Sequence, residues 1–283
     1  MRAEQLTDSV TYHGEGAVWH EGWGGLKFVD MLAGDVLSLG ADGSVDRLHT
    51  GSPVACVVRP RASGGFVVVN EREFTLWNAE GEKEWISPPV LEEGLRFNEG
   101  SCDPAGRLLC GTLAYGIVEG AGSMYRLAGR EVIRLFGGLT ISNGLGFTAD
   151  GTRAYYADTP TQRIDVFQVG PDASLGVRRP WVVIPQESGS PDGLCVDSEG
   201  GVWVALWGGS AVHHYDADGV LDEVVEVPGV TQVTSCTLGG PDLRTLYITT
   251  SREGLPAHDQ PAAGALFTAP APTPGLPTLE FAG

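Results

Sequence analysis

An all-β, six-bladed β-propeller with four antiparallel strands per blade is the fold this sequence predicts, and three observations carry the prediction. A polar turn followed by a short run of β-branched and aromatic residues recurs six times, as WHEGWGGLKFVDM, RPRASGGFVVVN, DPAGRLLCGT, TADGTRAYYADT, DSEGGVWVAL and GGPDLRTLYITT. The first strand residues of the copies, Leu26, Phe66, Leu108, Ala154, Val202 and Leu246, lie 40, 42, 46, 48 and 44 residues apart, the period of a propeller blade. The 41 glycines and 18 prolines suit a chain rich in tight turns, and no amphipathic helical pattern exceeds two turns.

Each blade is justified in order by what flanks these strands. A second element follows every copy: GDVLSLGADGSV, REFTLWNAEGEKE, GSMYRLAGREV, QRIDVFQVGPDASLG, SAVHHYDADGV and GALFTAPAPTPG. Alternating apolar residues leading into turns such as Asp42-Gly43 and Asp218-Gly219 mark it as a β-hairpin. A third element precedes every copy, which makes three strands directly visible per blade and leaves one edge to be closed by more chain. The run Leu6 to Tyr12 is expected to close the last blade beside Leu279 to Phe281. Six copies take up the 283 residues, and no linker or charge block divides them, so residues 1–283 are read as a single domain.

Composition excludes several functions. A formal charge of -18 disfavours nucleic acid and anionic membrane surfaces, both of which select basic patches. No apolar run approaches the roughly 20 residues that span a bilayer. The start, MRAEQLTDSV, lacks the basic and apolar regions of a secretory signal, which points to a cytoplasmic protein. Cys56, Cys102, Cys110, Cys195 and Cys236 form no CxxC pair and are expected as buried reduced thiols. The oligomeric state is not readable.

Polar residues gather in the third element, about ten residues before each reference strand. Glu15 lies 11 before Leu26, Asn98 lies 10 before Leu108, Asn143 lies 11 before Ala154, Asp192 lies 10 before Val202 and Ser235 lies 11 before Leu246. Equivalent register in successive blades places them on one ring around the propeller axis. Glycines beside them (Gly16, Gly144, Gly193) are expected to let backbone approach a ligand. Two carboxylates and two amide carbonyls without thiolate or imidazole suit a hard divalent cation, and would neutralise it. Calcium is the first choice, with zinc, magnesium, manganese or iron(II) as alternatives. Without an ion, adjacent carboxylates repel and raise one another's pKa.

The phrases GEGAVW, RFNEGSCDPAGRLLCGT, SNGLGF, PDGLCVD, GGVWVA, TSCTLGG and LYITTSR, in this order from about Tyr12 to Arg252, resemble the SMP-30/gluconolactonase/LRE family of regucalcin-like lactonases. The resemblance implies a six-bladed propeller, a divalent metal at the channel mouth and hydrolysis of a small-molecule lactone, often a sugar lactone. It also implies that Glu15, Asn143 and Asp192 hold the metal, and that Arg96 and Asn98 orient the substrate. Where the family usually carries Asp after that Asn, this chain has Glu99, which keeps the charge and changes the reach. The segment Tyr115 to Gly122 falls where relatives carry a substrate-covering loop; it is short and glycine-rich here, and Tyr115 and Glu119 stand within possible reach of substrate.

The expected mechanism is attack of water on the lactone carbonyl, with Asp192 as proton acceptor and Glu99 as the second candidate. The alternatives are hydrolysis of another ester or a phosphotriester at the same metal, or a non-catalytic metal-binding propeller. His213 and His214 lie in a hairpin strand, one expected to face outward and the other to pack on a neighbouring sheet. Trp203, Trp207, Tyr155 and Tyr156 are expected to pack between blades. No GxSxG elbow supports a serine hydrolase.

Overall fold

Strand alternation places one face of each repeat against the next repeat, and six such repeats close on themselves. A computed structural model describes residues 1–256 and 258–283, and shows six four-stranded antiparallel sheets. In the first five blades the strands follow chain order outward from the axis; blade 1 runs Gly14–His20, Gly25–Asp30, Asp35–Leu39 and Val45–His49. The innermost strands of the ring are Gly14–His20, Ala55–Pro60, Leu95–Cys102, Ser142–Phe147, Ser190–Val196 and Val233–Gly239. Among the described residues no helix is long and apolar enough to cross a membrane.

The last blade is closed by the N-terminus, but by residues further upstream than expected. Glu4–Gln5 supplies its outer strand, with Glu4 opposite Thr268 and Gln5 opposite Phe267. Leu6 to Tyr12 forms no strand. It is spent on the traverse from the outer edge of blade 6 to the axis, where Gly14 begins blade 1, and it is held on the way by Leu6 N–H to Leu266 O (2.8 Å) and Val10 N–H to Gly264 O (3.0 Å).

Nor does the C-terminal end accompany that run. It straps the opposite side of the ring: Ser198 N–H donates to Pro274 O (2.9 Å), Thr278 Oγ1 to Trp19 O (2.6 Å), Phe281 N–H to Pro60 O (2.7 Å) and Ala282 N–H to Gly106 O (2.8 Å). Four blades are thereby tied by the last ten residues, and Phe281 is fully buried among Val58, Phe66 and Cys102.

The core lies between blades. Trp203 packs with Val233, Cys236 and Leu238 of blade 6, and Tyr155 with Leu194 and Val196 of blade 5, as expected for inter-blade packing. Trp207 differs: it is only half-buried and stands beside His13 at the mouth of the ring. Both histidines of the SAVHHYD strand are buried, so neither faces outward. His214 fills the space between two carboxylates, Asp197 at 2.8 Å and Asp222 at 2.5 Å, and lies against Trp203. Burial opposes its charging, but these hydrogen bonds outweigh it and raise its pKa. All five cysteines are free thiols.

Candidate active site

Each inner strand carries one extra residue relative to its partner, a β-bulge that re-aims side chains toward the axis. The register breaks between Ala55 and Val57, Phe97 and Gly100, Ser142 and Leu145, Pro191 and Leu194, and Val233 and Ser235. In blade 1 it breaks between Glu15 and Val18, where Gly16 takes a left-handed φ of 56° that only glycine adopts without strain. Glu15, Asn98, Glu99, Asn143 and Asp192 stand at these bulges, all buried.

The neighbouring glycines serve the ring. A Cβ on Gly144 would lie 2.7 Å from Asp192 O, and one on Gly193 would lie 2.5 Å from Ser235 Oγ. Their absence of a side chain lets adjacent inner strands converge closely enough for their polar residues to meet.

A hydrogen-bonded chain runs round the ring from blade 3 to blade 5. Arg96 Nη1 donates to Asn98 Oδ1 (2.6 Å), and Asn98 Nδ2 donates to Ser142 O (2.7 Å) and Asn143 Oδ1 (2.9 Å). Asn143 Nδ2 donates in turn to Thr159 Oγ1 (2.6 Å), whose hydroxyl donates to Pro191 O (2.8 Å). Both amide hydrogens of Asn98 are thus engaged in holding blade 4, while Asn143 Oδ1 keeps a second lone pair.

Electrostatically the ring is acidic and buried. Burial, then the charge of Glu99, raises the Glu15 carboxyl well above its ordinary range; burial, then Glu15 and Glu99, does the same to Asp192. Burial pushes Glu99 up to about 7, against the pull of Arg59. Asp192 Oδ1 and Glu99 Oε2 are buried oxygens without a hydrogen-bond partner. Such atoms are costly and call for an explanation such as a bound ion or water. Among the described residues no three His, Cys, Asp or Glu side chains form a cage for a metal, so a cation here would need the amide oxygen of Asn143. The hard-oxygen donor set and the orphaned oxygen of Asp192 fit a divalent cation.

The expected ring residues do not all share one environment. Glu99 and Ser235 border a cavity of about 470 Å3 further along the axis, toward the C-terminal ends of the inner strands, together with Arg59 and the strap residues Leu276 and Leu279. In blade 6 the extra residue is Thr234, and its hydroxyl donates to Gly14 O (2.6 Å), which leaves Ser235 to the cavity. In blade 2 the equivalent position is Cys56, whose thiol donates to Phe97 O (3.0 Å) and is pushed up to about 12 by burial. At the mouth, Tyr115 is half-exposed and its hydroxyl donates to Glu71 Oε1; Glu119 is exposed.

Sequence reasoning missed His13, Glu71, Thr159 and Arg59. His13 was within sight, two residues before Glu15 in HGEG; burial, then Arg96, lowers its pKa to about 3, so it is a neutral imidazole. Glu71 lies on a bend and Thr159 opens a short 3-10 turn, and only the closed ring reveals their approach to the axis.

Comparison with known proteins agrees with this architecture. The model for the SMP-30/Gluconolactonase/LRE-like region matches residues 13–252. Regucalcin of Sus scrofa is 34% identical over 285 residues, covering 95% of either chain. The 6-deoxy-6-sulfogluconolactonase of Pseudomonas putida is 35% identical over 279 residues, again covering 95% of either chain. Among solved structures, the calcium-binding protein regucalcin from Agrobacterium tumefaciens superposes with a TM-score of 0.90 at 26% identity, over 99% of this chain and 97% of that one. Its bulged inner strands, its acidic ring and these likenesses together identify the chain: it belongs to the SMP-30/gluconolactonase/LRE-like family.

Proposed function

We propose that this protein hydrolyses a lactone, a sugar lactone in the first instance, in a reaction that depends on a divalent cation held at the mouth of the ring. The observation that supports the reading is the pair of buried acids Glu15 and Asp192, near enough for the charge of Glu15 to raise the pKa of Asp192, with one oxygen of Asp192 left without a partner among the described residues. The relatives that act on lactones support the substrate class.

Glu15, Asn143 and Asp192 would hold the cation, calcium first, which when bound supplies Lewis-acid polarisation of the carbonyl oxygen and stabilises the developing oxyanion. Asp192 accepts the proton of the attacking water through its free oxygen, with Glu99, one register step along the axis, as the second candidate. Water adds to the carbonyl carbon, the ring C–O bond breaks, and the ring oxygen takes up the proton held by Asp192 and leaves as a hydroxyl, giving a hydroxy acid and the free carboxylate. Arg96 faces the lactone with the guanidinium donors not spent on Asn98, and Asn98 acts by fixing Asn143. Tyr115, tied to Glu71, borders the substrate at the rim.

A panel of aldonolactones and simple lactones, assayed with calcium and then with chelator, tests the reading. Hydrolysis abolished by chelator and restored by a divalent cation is expected. No hydrolysis of any lactone, or hydrolysis indifferent to chelator, overturns it.

A further inference from the structure

His13 is held on every side but one. Its backbone N–H donates to Asp30 Oδ1 (3.0 Å) and its carbonyl accepts from Met31 N–H (2.8 Å). Its Nδ1 lies 2.8 Å from Ser251 Oγ and 3.3 Å from Glu253 Oε2. The ring stands 5.9 Å from the Trp207 indole, and the side chain is only 9% exposed. Among the described residues Nε2 has no hydrogen-bond partner, and it faces Glu15 Oε1 across 3.9 Å. That separation is too long for a direct hydrogen bond and suits one bridging oxygen. A buried ring locked at one nitrogen presents the other in a fixed direction, and does so at the ring of donors itself.

From this geometry we infer that His13 Nε2 is the group that reads a hydroxyl on the carbon next to the reacting carbonyl, so that this residue sets the preference for α-hydroxy lactones over lactones without that hydroxyl. The inference rests on the lactone reading above and narrows its substrate. Neutral imidazole offers one donor and one acceptor, and a hydroxyl satisfies whichever of the two Nε2 presents. The flanking Trp207 supplies an apolar wall against which the ring of the substrate lies. His13 is a specificity residue here, distinct from the proton acceptor.

Two substitutions separate the contact from the scaffold. His13→Asn places an amide where Nδ1 meets Ser251 and Glu253 but removes the reach of Nε2, whereas His13→Gln restores a polar group near the Nε2 position. Each folded variant, checked by its melting temperature, is assayed on a matched pair of lactones with and without the α-hydroxyl. Binding of the two corresponding lactams, which resist hydrolysis, is measured by calorimetry. The preference of wild-type kcat/KM for the hydroxylated lactone should fall about tenfold in His13→Asn, the size expected for one neutral hydrogen bond, and recover at least partly in His13→Gln. The lactam affinities should move in the same ratio, with the change appearing in KM. Wild-type hydrolysis with an unchanged preference in His13→Asn overturns the role of His13 and leaves the lactone reading standing. Absence of hydrolysis of any lactone, with neither lactam bound, overturns both.

Discussion

A single oxygen sets the terms of this site. Asp192 Oδ1 is buried without a partner, beside Glu15 and Glu99, which also resist ionisation in the fold. An acid whose pKa is raised in the fold holds its proton more tightly folded than unfolded. Its contribution to stability is therefore present below the ordinary carboxylate range and is lost as pH rises through the folded value. In chelator, the denaturation midpoint should fall as pH is raised from about 4.5 through the value near 7 reached by Glu99. A saturating divalent cation should flatten this slope, and a hundredfold excess over its dissociation constant should add about 2.7 kcal/mol. Urea titrations at stepped pH, with and without calcium, check both statements. Asp192→Asn keeps an oxygen ligand and removes the proton acceptor, so turnover under saturating cation should drop about 10²- to 10⁴-fold. Wild-type turnover in that variant would transfer the role to Glu99.

At the level of the strand, the bulge is the device that makes a site out of a sheet. Without the extra residue, alternation would turn the side chains of an inner strand to the two faces of its sheet, toward the neighbouring blades and away from the axis. Close approach of the inner strands is the companion requirement, and Gly144→Ala tests it. The added methyl would meet Leu194 Cγ at 2.6 Å and Asp192 O at 2.7 Å, so a loss of about 1–3 kcal/mol is expected. Calorimetry should show weaker cation binding as well, because Asn143 and Asp192 are pushed apart. The repeat made Glu15, Asn143 and Asp192 visible in the sequence because equal register in successive blades is a property of spacing. Ser235 satisfied the same count yet lies off the ring, since its blade places the extra residue at Thr234. A count of residues cannot see where a bulge falls. The role of His13 was hidden for a different reason: a lone histidine carries no period, and its partners Ser251 and Glu253 lie more than two hundred residues away in the chain.

The whole ring is secured by both chain ends at different places. Six blades and N-terminal closure were legible from the repeats, whereas the site of closure was not, because it depends on the length of chain needed to travel from the rim to the axis. The strap is the less obvious fastening. Phe281 is fully buried in the core shared by blades 2 and 3, and Phe281→Ala should cost about 3–5 kcal/mol, read as a shift of the urea midpoint. A change confined to the tail, with a midpoint like the wild type, would show that the strap carries no load.

The same strap dictates the order of events at the ribosome. Val58 and Phe66 of blade 2 precede Phe281 by more than two hundred residues, so their apolar slot is made long before the side chain that fills it. Until Phe281 has been synthesised, Val58 and Phe66 wait without this partner, and the nascent protein carries an uncovered hydrophobic slot. Sealing the slot is therefore a late step, in which the strap covers a surface that blade 2 has already built.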